Sequence, residues 1–572
     1  MKKIKLSEIL SKRNAYRALA LLMALLMLAL VGCTPKEPVT ESSGSTGESS
    51  QLGSSQPVDS STDSSTESKD DTSSSSKNTS KIDPLKGNIT TDYKQTNTTR
   101  ADANEVEPEK DPLTVNKDFS YTGYAQKERD ALLKKILNTP NTSELYEITG
   151  TVYYVSPSGN DANDGTSPEK AVRTLPAVNG LPLKAGDAVL FERDSIFRLH
   201  DYFSCRGGVI YGSYGKGRKP MILGSAKNFA QEVWKPSKKK NVWEITYLNA
   251  APAGAFFNDG EEIGFLKLSL RALNKNTDFY LNEETSTLYL YCDKGNPSKV
   301  WDSIEISQTN VHLDVGTHVQ NVTIDNLALR YMGTFGLSCD YNNHYITVTN
   351  CELGFIGGAF TGDYRYGNGL QAWCGGHDLK WENNWIYQTY DTATSPQGAA
   401  GHALCDYYNI SMSGNLYEYN NADIEIWEAG ANMSGEDCAR FWNWKMDNNI
   451  HRFTSLGWGT RAEEGIRGIQ GVQVGQHRDH KTRNFSWSNN IIDCPSDYIY
   501  NKKFHFEKEY NAFDRKNNTY YIKQSLRRHE AVTTPTFYWE NGENSGFSAS
   551  NQKQWIDVFK KIEPTAKVFW YK

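Results

Sequence analysis

The stretch "NADIEIWE", residues 421–428, puts three acids into eight residues, and Asp423 and Glu425 alternate with Ile424 and Ile426. That alternation is the period of a β-strand with one buried face, so both acids are expected on the opposite face, with Trp427 next along. At i and i+2 their Cα atoms would lie about 6.5–7 Å apart. Two carboxyls at such a spacing can act as acid and base, or acid and nucleophile, on a glycosidic bond. Pairs about 5–5.5 Å apart suit retention and pairs about 6.5–9.5 Å apart suit inversion, so side-chain rotation leaves the stereochemistry open. Asp391, which opens "DTATSPQG", is a reserve acid. Gln371 and Gln473 could bond sugar hydroxyls, Trp373 and Trp427 could stack on a sugar face, and Arg461 lies in the loop "TSLGWGTRAEEGIRG" as a further substrate contact. Each has a plainer role as well: exposed acids and arginines are ordinarily solvated, and tryptophans can simply pack beneath loops.

Such residues need a scaffold, and from about residue 320 the chain repeats itself. "VTIDNLAL", "ITVTNCEL", "LKWENNWI", "ISMSGNLY", "WKMDNNIH" and "FSWSNNII" align on Asn326, Asn350, Asn383, Gly414, Asn448 and Asn489. Two and four residues before each, and three after, the side chain is apolar in nearly every copy. Period-two alternation on both sides of a fixed turn residue predicts strand, tight turn, strand. The spacings of 24, 33, 31, 34 and 41 residues imply a constant coil of about two dozen residues carrying loops of different length. Stacked coils would set the asparagines in one column, where αL geometry suits them and their amides can form a ladder.

Carried along each coil, this register places Ser338, Gln371 and His402 at equivalent outward positions, with Glu425 and Gln473 in the next two coils. Neighbouring coils would be about 4.8 Å apart. His402, one coil below Glu425, could then set its protonation or hold a sugar hydroxyl. Two residues along stand Asp340, Trp373, Leu404 and Trp427. The long loops all enter or leave this strand stack and could wall a cleft over it.

The Asn-centred repeat resembles the right-handed parallel β-helix of the pectate-lyase-like superfamily. "YYVSPSGNDANDGTSPEKAVRTL" (153–175), "AGDAVLFERDSIFR" (185–198) and "VIYGSYGKGRKPMILGS" (209–225) resemble the opening coils of bacterial cell-surface β-helix proteins. The resemblance implies an all-β fold shared by glycoside hydrolases, lyases and proteins of other roles. The paired aspartates and "RIK" of its polygalacturonases are absent from the folded region, so that subgroup is excluded and no family catalytic residue is carried over.

The domain plan follows. Residues 1–33 carry Lys2, Lys3, Lys5, Lys12, Arg13 and Arg17, the apolar run "ALALLMALLMLALVG", and Cys33. These are the parts of a secretory signal, and the run is shorter than the roughly 20 residues that span a bilayer. "LVGC" resembles the lipobox of bacterial lipoproteins, which implies lipidation at Cys33 and an anchor on the outer face of the bacterial cell membrane. Residues 34–115, rich in Ser, Thr and acids, can bury too little to offset ordering and read as a tether. Residues 116–150, with the helical period of "ERDALLKKIL", are expected to cap the solenoid. Residues 151–225 form its first coils and 226–305 an inserted antiparallel β subdomain. Residues 306–572 form the main β-helix with its loop-walled cleft and a C-terminal cap.

A net charge of −6 on 572 residues gives no basic surface for nucleic acid. Of nine cysteines none forms a CxxC pair, which speaks against a thiolate zinc site, and Cys339 falls at an inward apolar position. Asn160, Asp161, Asn163 and Asp164 read as a polar turn in preference to a calcium site. Three functions remain: a polysaccharide-cleaving hydrolase, a lyase or epimerase on uronic-acid polymers, and a non-catalytic glycan binder. No cofactor is expected for the first, and calcium enters only with the second, where the acids would be its ligands.

Overall fold

The repeat motif folds as its period predicts: each copy enters on one sheet, turns at the asparagine, and leaves on another. In the computed structural model the described residues are 121–361, 364–399, 405–429, 441–460, 483–495, 513–523 and 563–571, with short pieces at 525, 536–538, 546–548, 553 and 556–557. Cys33, the tether, His402, Arg461 and Gln473 lie outside them, as does most of "QWIDVFKKI". All described residues belong to one unit, Ser80–Lys572.

Three sheets of wholly parallel pairings make a β-solenoid. The first has ten strands, including Gln320–Asp325, Asn343–Thr349, Gly376–Glu382, Tyr407–Ser411 and Phe441–Lys445. The second, also of ten, takes the strands after the turn, such as Ala328–Arg330, Glu352–Ile356, Trp385–Thr389, Leu416–Glu418 and Ile450–Arg452. The third stacks Phe203–Ser204, Leu313–Thr317, Leu337–Asp340, Leu370–Trp373, Thr392–Ala399 and the pair Ala422–Ile424 and Trp427–Ala429. Residues aligned by sequence are neighbours in space: Leu379, Ile410, Trp444 and Phe485 pair in order. So do Leu329, Leu353, Ile386, Tyr417, His451 and Ile492. Their side chains fill one continuous core along the axis.

Asn326, Asn350, Asn383, Asn448 and Asn489 all have φ between 55° and 62°, and Gly414 has 69°. Asparagine tolerates this left-handed geometry, which explains its recurrence. The amide ladder, however, belongs to the next residue. Asn384, Asn415, Asn449, Asn490 and Asn518 are fully buried. Each accepts through Oδ1 from the backbone N–H of the corresponding residue one coil earlier, at 2.7–2.9 Å. Each Nδ2 donates to a main-chain carbonyl. Two polar functions per amide are thereby satisfied inside an apolar core, where an unmade bond would cost about 1–3 kcal/mol. Glu563 ends the ladder by accepting from Asn518.

The inserted sheet runs from Lys235–Pro236 to Ile304–Gln308 with seven strands. It is mixed and not purely antiparallel, because Glu262–Leu266 pairs in parallel with Asp278–Asn282. It has its own core around Phe257, Phe279, Leu290 and Trp301. Phe256 fixes it to the solenoid by packing on Tyr331, Phe355 and Trp458.

The helix Gln126–Leu137 lies along the solenoid's flank, not across its end as expected for a cap. Its buried Arg129 makes a bidentate pair with Glu418, a residue well along the second sheet, and Arg452 joins the same carboxylate. Upstream, the N–H groups of Tyr124 and Ala125 donate to Asp493; downstream, Thr142 donates to Asp325. Those partners span many coils, so the segment is a strap. The polar turn near residue 160 is a turn: Asp161 accepts from Arg173 N, Thr174 N and Thr174 Oγ1, and Asp164 from Thr166. Cys339 is buried in the core as expected, and Cys374 is disulfide-bonded to Cys405.

Candidate functional site: a carboxylate pair on the third sheet

Leu370 and Ala372 turn inward on their strand, so Gln371 turns outward, and pairing extends that outward row in both directions. Asp314, Ser338, Gln371 and Ser395 align in consecutive coils. Glu425 continues the row: its N–H donates to Thr394 O at 2.9 Å, and its carboxylate accepts from Ser395 Oγ at 2.7 Å and Gln397 Nε2 at 3.0 Å. A second row, two residues along, reads Asp340, Trp373, Gln397 and Trp427. Glu425, Gln371, Trp373 and Trp427 thus stand in the rows their spacing predicts.

His402 does not. The coil between Gln371 and Glu425 contributes Thr392–Ala399, so Ser395 occupies the position assigned to His402, and Gln397 that assigned to Leu404. The strand is hard to see because its inward positions, Thr394 and Pro396 opposite Leu370 and Ala372, are not the large aliphatics that mark strands elsewhere. A stretch read as a loop is a strand of the site.

Asp423 also departs from expectation. It is fully buried, and its carboxylate accepts from Asn420 Nδ2 at 3.0 Å, His451 Nδ1 at 3.0 Å and Thr454 Oγ1 at 2.5 Å. His451 is itself a core residue, stacked on Tyr417 at 4.8 Å. Strict alternation fails here because the chain is bending into the sheet: Ala422 and Ile424 pair with Thr392 and Thr394, while Ala393 beside them also faces the core. Asp423 therefore does not share the outward face with Glu425.

The reserve acid does act on Glu425, through its charge. Asp391 sits where the second-sheet strand Trp385–Thr389 turns into the third sheet, and its side chain is 19% exposed. Glu425 is 9% exposed. Burial pushes the Glu425 carboxyl up to about 7, the Asp391 carboxylate pushes the same way, and bonds from Ser395 and Gln397 oppose both. Asp391 is raised too, by burial, with Arg365 opposing. The Arg365 Nε lies 4.0 Å from Asp391. Its guanidinium covers the Tyr390 ring at 4.3 Å and donates to Tyr390 O and Gly459 O, which fixes it beside the acid. Two acids that repel inside a poorly hydrated site each make the other's ionisation harder.

Gln371 is only 3% exposed, and accepts a bond from Asn368 Nδ2 while Asn368 Oδ1 accepts from Thr392 N. It braces the floor of the site more than it faces solvent. Trp373 is half-buried and packs against the core. Sequence reasoning missed Ser395, Gln397, Thr392 and Arg365. The i, i+2 pair in "SPQ" repeats the Gln371/Trp373 spacing one coil on, and would have shown the first two. Among the described residues no three His, Cys, Asp or Glu side chains converge as a metal-ligand set.

No family model and no curated protein matches the chain. Solved structures similar to it include a GH136 lacto-N-biosidase from Eubacterium ramulus, at 15% identity and a TM-score of 0.33 over 65% of this chain and 64% of that one. Another is XylC in complex with xylose, at 13% identity and a TM-score of 0.37 over 73% of this chain and 83% of that one. A third is an alginate lyase from Paenibacillus sp. str. FPU-7, at 11% identity and a TM-score of 0.27 over 61% and 86%. The chain spans 64% of the length of the lacto-N-biosidase it matches. With TM-scores this low, none of these likenesses carries weight for the activity.

Proposed function

We propose that the protein is a surface-anchored glycan-cleaving enzyme, a glycoside hydrolase in which Glu425 and Asp391 are the working carboxylates. The observation that carries this reading is the Glu425 carboxyl, nearly enclosed and pushed up to about 7 by burial and by the charge of Asp391. A carboxyl that still holds its proton near neutral pH can give it to a departing glycosidic oxygen. Asp391, ionised beside Arg365, is then the base or nucleophile. Ser395 and Gln397 orient the Glu425 carboxylate and stabilise it once the proton has left. Trp373 and Trp427 occupy positions of the neighbouring row, in the coils of Gln371 and Glu425. Lipidation at Cys33 and the tether would hold this site outside the membrane.

The test is digestion of a panel of polysaccharides, read both as reducing ends and as absorbance of unsaturated product, with and without chelator. Reducing ends without unsaturation, lost in Glu425→Gln and Asp391→Asn, support the hydrolase. Unsaturated product that needs calcium would make the protein a lyase. Equal turnover in Glu425→Gln would remove that residue from the mechanism.

A further inference from the structure

Along the upstream border of the third sheet runs a line of half-exposed rings, one from each of four successive coils. Tyr202 precedes Phe203–Ser204, His312 precedes Leu313–Thr317, Phe335 lies just before Leu337–Asp340, and Tyr366 just before Leu370–Trp373. Consecutive centroids are 6.5, 5.7 and 5.8 Å apart. The next coil supplies Asp391 at the same border, so the line leads into the carboxylate pair.

The ring geometry leaves faces free. His312 to Phe335 and Phe335 to Tyr366 are edge-to-face, at 79° and 74°. Tyr202 is 51% exposed and stacks on His312 at 28°. Beside the line runs a polar floor of Asp314, Ser338, Gln371 and Ser395. A line of rings along one border, beside a floor whose polar side chains are bonded to one another, suits a polyhydroxylated chain laid along the solenoid axis and held chiefly by stacking. Four coil spacings give it roughly 19 Å.

Charge narrows the chain's chemistry. Asp314 lies in the floor and Asp340 beside it, where burial and then the Asp314 charge raise the Asp340 carboxyl, and Glu425 and Asp391 stand at its end. Among the described residues, neither row carries a Lys or Arg between Asp314 and Trp427, and Arg365 is already engaged by Asp391, Tyr390 and Gly459. A uronic-acid polymer brings one carboxylate per sugar, and like charges set against each other at an interface are rejected. We infer that the groove binds an uncharged polysaccharide along the Tyr202–His312–Phe335–Tyr366 line, as subsites leading to the site proposed above. The inference rests on that reading for the direction of the chain but is tested by binding alone.

The experiment is affinity electrophoresis of the full chain carrying Glu425→Gln, so that binding is read apart from cleavage. The gels contain arabinoxylan, galactomannan or mixed-linkage β-glucan as neutral polymers, and polygalacturonate or alginate as uronates. Retardation is expected in at least one neutral gel and in neither uronate gel. Adding Phe335→Ala or Tyr366→Ala should weaken the neutral interaction about tenfold each, the order expected of one lost aromatic contact. Tyr202→Ala, at an exposed position that folding does not need, should weaken it for long chains and leave a trisaccharide of the same polymer unaffected. Retardation by a uronate gel, no retardation by any neutral gel, or neutral binding unchanged in all three ring variants would overturn the inference. Neutral binding through the ring line, in a protein that cleaves nothing with Glu425 restored, would keep the subsites and remove the catalytic reading.

Discussion

Asp423 and Glu425 stand two residues apart in one acidic stretch, and they occupy opposite kinds of pocket. Asp423 is inside the solenoid, where an amide, an imidazole and a hydroxyl all donate to its carboxylate. Glu425 is on the outside of the same wall, nearly as enclosed, but its neighbour is a second acid and its carboxyl rises to about 7. Glu418 gives a third case, fully buried yet held below the usual carboxylate range by Arg129 and Arg452. Burial alone therefore does not make an acid a proton donor. What distinguishes Glu425 is that burial and a like charge act together against only neutral hydrogen-bond donors.

The largest effect expected from this contrast is on turnover. Glu425→Gln keeps volume and polarity but removes the proton, and should lower kcat about 10²–10⁴-fold, the usual size of general acid–base assistance. Asp391→Asn should fall in the same range. Asp423→Asn, once folded, should leave the pH dependence of the remaining activity unchanged. A pH profile displaced by Asp423→Asn would break the comparison by making the interior acid part of the mechanism.

Stability should divide the two acids the other way. Asp423→Ala leaves His451 and Thr454 buried without their acceptor, and a buried donor left unsatisfied costs about 1–3 kcal/mol each. Urea unfolding of the variant reads it directly, and a loss below about 1 kcal/mol would mean the pocket relaxes or admits water.

For Glu425 the sign reverses. Its folded value, about 7, lies above the 4.5 of an ordinary glutamate. The folded state thus binds the proton more tightly, so the contribution to stability is present below about pH 4.5 and is lost as pH rises through about 7. At pH 8 the ionised carboxylate burdens the fold, and Glu425→Gln should be the more stable protein by on the order of 1–3 kcal/mol. The gain should vanish near pH 4. Equal stability of wild type and variant at both pH values would show that the carboxyl is better hydrated than its surroundings imply.

How much of this was legible from sequence depends on how each position announces itself. The αL asparagines and the apolar residues around them repeat at fixed offsets, so the coils, their register and the outward facing of Gln371 and Glu425 could be read directly. The ladder was misassigned by one residue, because Asn384, Asn449 and Asn490 adjoin the turn asparagines and a doublet does not say which member is buried. The strand Thr392–Ala399 hides its period behind Thr394 and Pro396, which moved His402 into a row it does not occupy. Asp423 obeys alternation in the sequence and violates it in space, since two neighbouring residues can both face inward where a coil bends. The pairing of Glu425 with Asp391, 34 residues apart across that bend, has no local signature at all.

The smallest expected effect tests the hydrogen bonds that oppose burial at Glu425. Ser395 Oγ donates to the carboxylate at 2.7 Å and Gln397 Nε2 at 3.0 Å, and both favour the ionised form. Ser395→Ala removes the shorter bond without adding bulk at a position that is fully buried. A hydrogen bond to a charged group contributes about 1.5–3 kcal/mol, and one pH unit corresponds to about 1.4 kcal/mol. Part of the loss will be recovered by Gln397, so the alkaline limb of the pH–rate profile should move up by on the order of one unit, with the maximal rate lowered only a few-fold. Gln397→Ala, acting through the longer bond, should move it in the same direction by less. An alkaline limb that stays in place in both variants would mean that the limb reports Asp391 or another group, and that the proton given to the substrate does not come from Glu425.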